Sequence, residues 1–108
     1  MGRQTVPQYY RLESAEERAK NFPNVFFLPD RNIREKVKTG YLVKLIFSGE
    51  EEDGRTYTER MWVKILSRRK LMYRGELVSS PAFLKNLIPH EPVVFGPEHI
   101  CEISKSGN

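Results

Sequence analysis

The apolar residues of the N-terminal part of the chain recur at helical spacing. Ser14 followed three positions later by Glu17 is a capping-box pattern, in which each side chain satisfies a backbone N–H at a helix start. The apolar side chains that share one face of this segment are those of Ala15, Ala19 and Phe22. Because Pro23 disfavours helical backbone in the preceding residue, the pattern predicts a helix from Ser14 to Asn21.

A second short helix is predicted at residues 31–37. Asp30 is a suitable N-cap, since its carboxylate faces the positive end of the helix dipole. Ile33 and Val37 are spaced for burial on one side of this helix, and Gly40 follows shortly after its end.

After Gly40 the period changes to two, which predicts an antiparallel meander of three strands. In the first strand the apolar side chains that point one way are those of Tyr41, Val43, Leu45 and Phe47. The other strands are predicted at residues 57–66 and 71–78, and Asp53-Gly54 is a typical hairpin turn before the second. Gly75 indicates a bulge or a close approach of two backbones.

The chain after residue 79 predicts one more helix and two more strands. Ser80-Pro81 is a typical helix start, and an apolar stripe follows at Phe83, Leu84, Leu87 and Ile88. Residues 92–95 and 99–103 are predicted to form short strands around the Gly96-Pro97 turn. The predicted fold class is therefore α+β: a strongly curved, half-barrel-like antiparallel sheet of about five strands, with two N-terminal helices and one short helix before the last strands.

The 108 residues fit one domain with one hydrophobic core. We expect residues 1–13 to be a flexible arm, residues 14–103 to be the domain and residues 104–108 to be a disordered tail. Cys101 is the one cysteine, so no intramolecular disulfide can form, which favours the cytoplasm. No apolar run approaches the length needed to cross a bilayer, so no membrane association is expected.

The charges mildly favour anionic partners, since eighteen Lys and Arg against fourteen Asp and Glu give a net charge of +4. Arg60, Trp62 and Lys64 share a predicted strand face opposite Met61 and Val63. Two interpretations of Trp62 stay open. It packs under the N-terminal helices as core or semi-core, which is the favoured interpretation, or it is exposed beside its cations as a contact residue.

The densest basic cluster consists of Arg68, Arg69, Lys70 and Arg74, with Tyr73 interleaved. Such a composition suits an edge that contacts phosphate or acidic protein, although a charge run at a turn is more often solvated surface. The candidate binding residues are thus Arg60, Trp62, Lys64, Arg68, Arg69, Lys70, Tyr73 and Arg74.

The sequence offers no catalytic constellation. His99 and Cys101 would lie on one face of an alternating strand, but a lone cysteine beside a histidine is more often packing than a reactive pair. One cysteine and two separated histidines cannot supply four zinc ligands, and the glycines form no phosphate-binding loop. The acidic run at residues 50–53 could hold a divalent cation, but a solvated hairpin tip is the simpler interpretation. We expect no metal and no cofactor.

The sequence Glu-Arg-Met-Trp-Val at residues 59–63 resembles the Glu-x-Met-Trp-Val strand of the bacterial domain-of-unknown-function 2314 family. Later parts of that family's pattern are matched in compatible order by Gly75-Glu76-Leu77, by Pro81 with Leu84 and Leu87, by Val93-Val94-Phe95 and by Ile100. Two places depart from it: His90-Glu91-Pro92 replaces the usual Gly-Asp, and Cys101-Glu102-Ile103 follows Ile100 where the family usually has Ile-x-Asp-Trp. The resemblance implies a diverged, compact domain of bacterial or phage origin, and it transfers no catalytic residues.

Together these observations predict a non-catalytic interaction module that docks a protein partner. The first alternative is binding of nucleic acid, a nucleotide or another phosphate-bearing ligand through the basic-aromatic strand face. The second is an enzyme that uses His99 and Cys101. The sequence does not indicate an oligomeric state.

Overall fold

The computed structural model describes residues 10–105. Its elements in chain order are β1 (Arg11–Leu12), α1 (Ala15–Asn21), α2 (Arg31–Arg34), β2 (Leu42–Glu50), β3 (Thr56–Arg69), β4 (Met72–Leu77), β5 (Pro92–Phe95), a 3₁₀ helix (Pro97–His99) and β6 (Ile100–Ser104). The predicted α+β class is confirmed, since one antiparallel sheet curls into a half-barrel and two helices precede most of its strands. A 3₁₀ helix also precedes the last strand, at a different place from the short helix that was predicted after Ser80-Pro81.

The sheet has the order β1-β2-β3-β4-β5, and β6 also pairs with β2. β6 lies beside Leu42–Leu45, while β1 lies beside Phe47 and Ser48, so the two share the edge of β2 that β3 does not use. The chain therefore passes from β5, at one end of the sheet, back to the strand next to its other end. This return through the 3₁₀ helix is consistent with the curl of the sheet.

Apolar side chains fill the inner face of the curled sheet. Alternation along each strand sends every second residue to this face, and the predicted strand periodicity is confirmed. Val37, Leu84 and Leu87 come from outside the strands and complete the cluster. The strand residues of the core are Val43, Leu45, Phe47, Met61, Val63, Ile65, Tyr73, Leu77, Val93, Phe95 and Ile100. The opposite side of the strands is called the outer face below.

Gly75 lies where two backbones approach closely, as predicted. A Cβ atom at this position would be 2.4 Å from the backbone oxygen of Lys64. The pairing of β3 with β4 shifts between Ile65 and Ser67, so a bulge lies beside the glycine. The Asp53-Gly54 turn is also confirmed, with Gly54 at a φ of +82°.

The first predicted helix is confirmed, and the second is shorter than predicted. The hydroxyl of Ser14 accepts a hydrogen bond from the N–H of Glu17 at 3.1 Å and caps α1. The expected burial of Phe22 and Ile33 was wrong, since each side chain is 53% exposed. α2 ends at Arg34, and the following residues form a turn that still delivers Val37 to the core.

Arg34 is the buried residue of α2, whereas the apolar pattern predicted burial of the preceding residue, Ile33. Its side chain is 7% exposed, and its Nη1 lies 2.7 Å from a carboxylate oxygen of Glu16. Nη1 also donates to the carbonyl of Pro97, and Nε donates to the carbonyl of Pro29, each at 2.8 Å. A buried guanidinium is tolerated because these partners satisfy it, and they connect both helices to the 3₁₀ helix.

The helix predicted from Pro81 through the apolar stripe was wrong, because residues 79–91 form turns. Leu84 and Leu87 do reach the core, but the N–H of Leu87 donates to the carbonyl of Leu84 in a single turn. A helix of so few residues between two prolines would gain little from its hydrogen bonds relative to its nucleation cost. Instead the carboxylate of Glu59 accepts three consecutive backbone N–H groups at 2.7–2.8 Å, those of Ala82, Phe83 and Leu84.

The predicted arm, residues 1–13, is too long at its C-terminal end. Arg11 and Leu12 form β1, and the N–H of Glu13 donates to the carbonyl of Ile46 at 2.9 Å. The ring of Tyr10 packs on that of Phe47 with centroids 5.1 Å apart, which explains why so short a strand is held. The last strand likewise extends to residue 104, one position into the predicted tail. Residues 1–9 and 106–108, which hold the rest of the predicted arm and tail, lie outside the described residues.

Candidate binding surface

The outer face of the sheet brings together most of the basic residues that the sequence singles out. Trp62 pairs with Lys44 across β2 and β3, and Lys64 pairs with Glu76 across β3 and β4. The bulge between Ile65 and Ser67 shifts the alternation of β3 by one residue, so that Ser67 lies on this side and pairs with Arg74. The outer cations are Lys44, Arg60, Lys64, Arg69 and Arg74, in addition to Lys70 at the turn.

Trp62 lies half-buried on this face. The ammonium of Lys44 lies 4.7 Å from the centre of its ring, a cation–π contact, and also 3.6 Å from a carboxylate oxygen of Glu102. The backbone N–H of Trp62 donates a hydrogen bond to the hydroxyl of Ser79, which follows β4, at 2.8 Å. The indole is therefore held by the sheet, while part of its surface is open to a partner.

An apolar segment between α1 and α2, which was not predicted as part of the site, flanks this face. The guanidinium carbon of Arg60 lies 4.5 Å from the ring centre of Phe26. Nearby in the chain, Phe22 is 53%, Val25 is 67% and Phe27 is 79% exposed. The available signal was a dense run of apolar residues between Pro23 and Pro29 that follows neither a helical nor a strand period. Exposed apolar side chains and arginine residues are typical of the surfaces with which proteins bind one another.

The predicted basic cluster is divided between the two sides of the sheet. Arg69 and Arg74 lie on the outer face, whereas Arg68 points the other way and donates to the carbonyl of Glu35. Tyr73 was wrongly included as a surface aromatic. Its ring is completely buried, and its hydroxyl donates to the carbonyl of Arg34 at 2.6 Å. A residue next to cations in the sequence can thus belong to the core, because strand neighbours face opposite sides.

Most of the outer cations lack an anionic partner within the described part of the chain. Arg60, Lys64, Arg69 and Arg74 make no ion pair there, although Lys44 pairs with Glu102 as given above. The carboxylate of Glu76, which lies beside Lys64, is 3.4 Å from the imidazole of His90. The face therefore carries a positive charge that its own acidic residues do not neutralise.

His99 and Cys101 are not brought together as a reactive pair. His99 belongs to the 3₁₀ helix, and its Nδ1 accepts the N–H of Gly96 at 3.0 Å. Cys101 packs on the outer side in a small cluster with Ala15 and Ile46. Burial raises the pKa of its thiol to about 11, so the thiol stays protonated at neutral pH and is a poor nucleophile.

At the acidic hairpin tip, the carboxylate of Asp53 is hydrogen-bonded within the turn. Asp53 accepts hydrogen bonds from the hydroxyl of Tyr57 at 2.5 Å and from the N–H of Arg55 at 2.9 Å. These bonds lower the pKa of the Asp53 carboxyl. Among residues 10–105, no cluster of three or more histidine, cysteine or acidic side chains is placed to hold a metal ion. The bond from the N–H of Arg55 to the side chain of Asp53, two residues earlier, makes the tip an Asx turn.

Comparison with known proteins gives a family match. The model of the bacterial domain-of-unknown-function 2314 family, described as an uncharacterized protein conserved in bacteria, matches residues 10–104 of the 108-residue chain. The matched range contains every strand and helix given above, so the whole sheet belongs to the match. Neither the curated proteins nor the solved structures contain a match. Within residues 10–105, no helix has the length and apolar character needed to span a bilayer.

Proposed function

The chain belongs to the bacterial domain-of-unknown-function 2314 family, and we propose that it is a non-catalytic interaction module whose outer sheet face docks a protein partner. The observation that carries this proposal is the combination of cations without ion pairs on the outer face and exposed apolar side chains in the chain segment that contacts this face through Phe26. Arg60, Trp62 and Lys64 form its centre on β3, and Phe26 meets Arg60 at one border. Interfaces are enriched in aromatic residues and arginine, which supply most of the binding energy when they are desolvated.

The apolar border favours a protein over a nucleic acid. A polyanion would match the cations, but it would leave the exposed Val25 and Phe27 without complementary contacts. The aromatic that the sequence placed among the cations, Tyr73, is buried and cannot stack on a base. Nucleic acid remains the second candidate because Arg60, Lys64 and Arg74 have no intramolecular anionic partner among the described residues.

Site-specific photo-cross-linking in bacterial cells tests the proposal. A photoreactive amino acid in place of Lys64 is expected to give cross-linked protein species, whereas the same amino acid in place of Lys85 is not. Lys85 is the control because it is exposed beside the hairpin tip, away from the outer face. Adding Trp62→Ala to the variant that carries the photoreactive group at position 64 should weaken the cross-linking, with circular dichroism used to confirm that the fold is intact.

Nuclease treatment and salt distinguish the two candidates. Protein cross-links that persist after nuclease digestion support a protein partner. Products that are destroyed by nuclease, with binding that falls steeply as salt rises, would favour nucleic acid instead. Equal cross-linking at both positions, or no change with Trp62→Ala in a folded protein, would remove the outer face from the proposal.

A further inference from the structure

A groove on the outer face crosses the β3–β4 hairpin and reaches β5. Its volume is about 540 Å³, within the range of about 300–1,000 Å³ that is usual for ligand sites. Arg69, Lys70 and Arg74 supply its cations, and Leu71, Met72 and Val94 supply its apolar surface. This hairpin groove is separated along the sheet from the centre of the outer face at Trp62.

The groove carries positive charge that nothing within the described residues neutralises. No carboxylate forms an ion pair with Arg69, Lys70 or Arg74 there. Guanidinium groups bind carboxylates in a bidentate geometry, so two arginines beside an apolar floor favour an acidic ligand. Charge complementarity therefore restricts the occupant to an anionic molecule.

The apolar surface of the groove further restricts the kind of ligand that can bind there. Leu71 is 49%, Met72 is 56% and Val94 is 49% exposed, which is unusual for large side chains within one small groove. The one aromatic residue that lines the groove, Tyr73, is completely buried and its ring stacks on Phe95, so it offers no exposed face on which a base of a single-stranded nucleic acid could stack. An acidic segment of a protein that also carries aliphatic side chains matches both parts of the groove.

The groove is held in place from beneath. Tyr73 and Phe95 stack with ring centroids 5.2 Å apart on the inner side of the same strands. Lys70 adopts a φ of +57°, the left-handed backbone conformation that a two-residue hairpin turn requires. A preformed groove loses little conformational entropy on binding. Pairing of two copies groove to groove is disfavoured, because it would bring like charges together.

We propose that the hairpin groove binds an acidic, extended protein segment that carries both carboxylate and aliphatic side chains on the side that faces the groove. The carboxylates contact Arg69 and Arg74, and the aliphatic side chains cover Met72 and Val94. This inference rests on the proposed docking function and names the chemistry of the partner at one part of the same face.

Fluorescence anisotropy with short synthetic peptides tests this assignment on the full chain. The probe is a labelled peptide in which pairs of glutamates alternate with pairs of leucines, so that each side of the extended chain carries both residue types. Two comparison peptides replace either glutamate by glutamine or leucine by serine, and a single-stranded oligothymidylate serves as the nucleic-acid probe. The groove variant is Arg69→Glu with Arg74→Glu. The matched control, Lys20→Glu with Lys38→Glu, removes the same charge at exposed positions outside the groove.

The glutamate–leucine peptide should lose about tenfold or more in affinity for the groove variant, equivalent to about 1.4 kcal/mol, and less than about twofold for the control. Both comparison peptides should bind the unmodified protein more weakly. Equal losses in the two variants, or equal binding of the serine peptide, would overturn the assignment. So would tighter binding of oligothymidylate that the groove variant abolishes, since the ligand would then be a nucleic acid.

The two proposals fail separately. Cross-linking at Lys64 that depends on Trp62 reports on the outer face as a docking surface, whether or not the peptide binds. If that result stands while the peptides do not discriminate, only the groove assignment is wrong. If the peptide discriminates but Lys64 gives no protein cross-link, binding is confined to the hairpin and the wider docking face is wrong.

Discussion

Replacing Glu59 by glutamine should open the loop that covers one end of the core. The Glu59 carboxylate accepts the N–H groups of Ala82, Phe83 and Leu84 at 2.7–2.8 Å, and Leu84 is 1% exposed. An amide has one oxygen, so glutamine must place an NH₂ group against at least one of these donors. The two remaining bonds also lose their charge assistance.

The expected loss of unfolding free energy is about 1–3 kcal/mol. Each hydrogen bond to a charged group contributes about 1.5–3 kcal/mol, against about 0.5–1.5 kcal/mol for a neutral bond. The sum over three bonds is discounted because two of the three lie at exposed positions, where water can replace them. For a domain of this size, a loss of about 2 kcal/mol lowers the melting temperature by roughly 5–15 °C.

Urea unfolding and amide hydrogen exchange measure the two consequences. The amides of Ala82, Phe83 and Leu84 should exchange faster in Glu59→Gln, even under conditions where the strand amides remain protected. Glu52→Gln is the matched control. It lies exposed at the hairpin tip without a side-chain hydrogen bond or ion pair among residues 10–105, and it should change neither quantity. Unaltered stability and exchange in Glu59→Gln would refute the anchoring role.

Three further positions give predictions that follow from the core. Tyr73→Phe should cost about 2–4 kcal/mol in urea unfolding, because the N–H of Val37 and a backbone carbonyl lose their partner inside the protein; a loss below about 0.5 kcal/mol would contradict this. Cys101 should react with Ellman's reagent far more slowly at pH 8 than in denaturant, and a comparable rate would show that the thiol is not buried. Since its pKa rises from 9.0 to about 11 on folding, the unfolded chain releases the proton first, and unfolding should become easier as pH rises from about 9 to 11. Replacing Cys101 by serine should reduce this pH dependence without abolishing it, because folding also raises the pKa of Tyr10 and Tyr57. Gly75→Ala should cost about 1–3 kcal/mol or more, because the added carbon would be 2.4 Å from the Lys64 oxygen, and wild-type stability would show that the strands can separate there.

The inner face of the sheet was predictable because burial there follows strict alternation. Val43 and Met61 lie where the period of two places them, and the turn at Gly54 follows from its tolerance of positive φ. The outer placement of Arg60, Trp62 and Lys64 followed from the same alternation. Local patterns are sufficient where one physical rule, such as the orientation of successive side chains, decides the outcome.

Long-range polar contacts were not predictable in this way. The burial of Arg34 depends on Glu16 and on a carbonyl 63 positions away in the chain, which no local window contains. The irregular loop at residues 79–91 depends on Glu59, whose carboxylate binds N–H groups from 23 to 25 positions further on. The two wrong predictions, the burial of Ile33 in place of Arg34 and the helix after Pro81, have one cause. In each case a carboxylate from another element binds the polar groups of the segment, and a local sequence pattern does not contain that carboxylate.

Residues 59–63, which match the Glu-x-Met-Trp-Val pattern of the family, show how one strand can serve both folding and binding. Glu59 fixes the covering loop, and Met61 and Val63 lie in the core at no more than 2% exposure. Removing either core side chain would create a cavity at a cost of about 2–5 kcal/mol for a residue of this kind. Trp62 faces the other way, is only half-buried and contributes a cation–π contact of about 0.5–1 kcal/mol with Lys44. Its truncation should therefore disturb binding more than folding, which is why the cross-linking experiment can assign its effect to the surface.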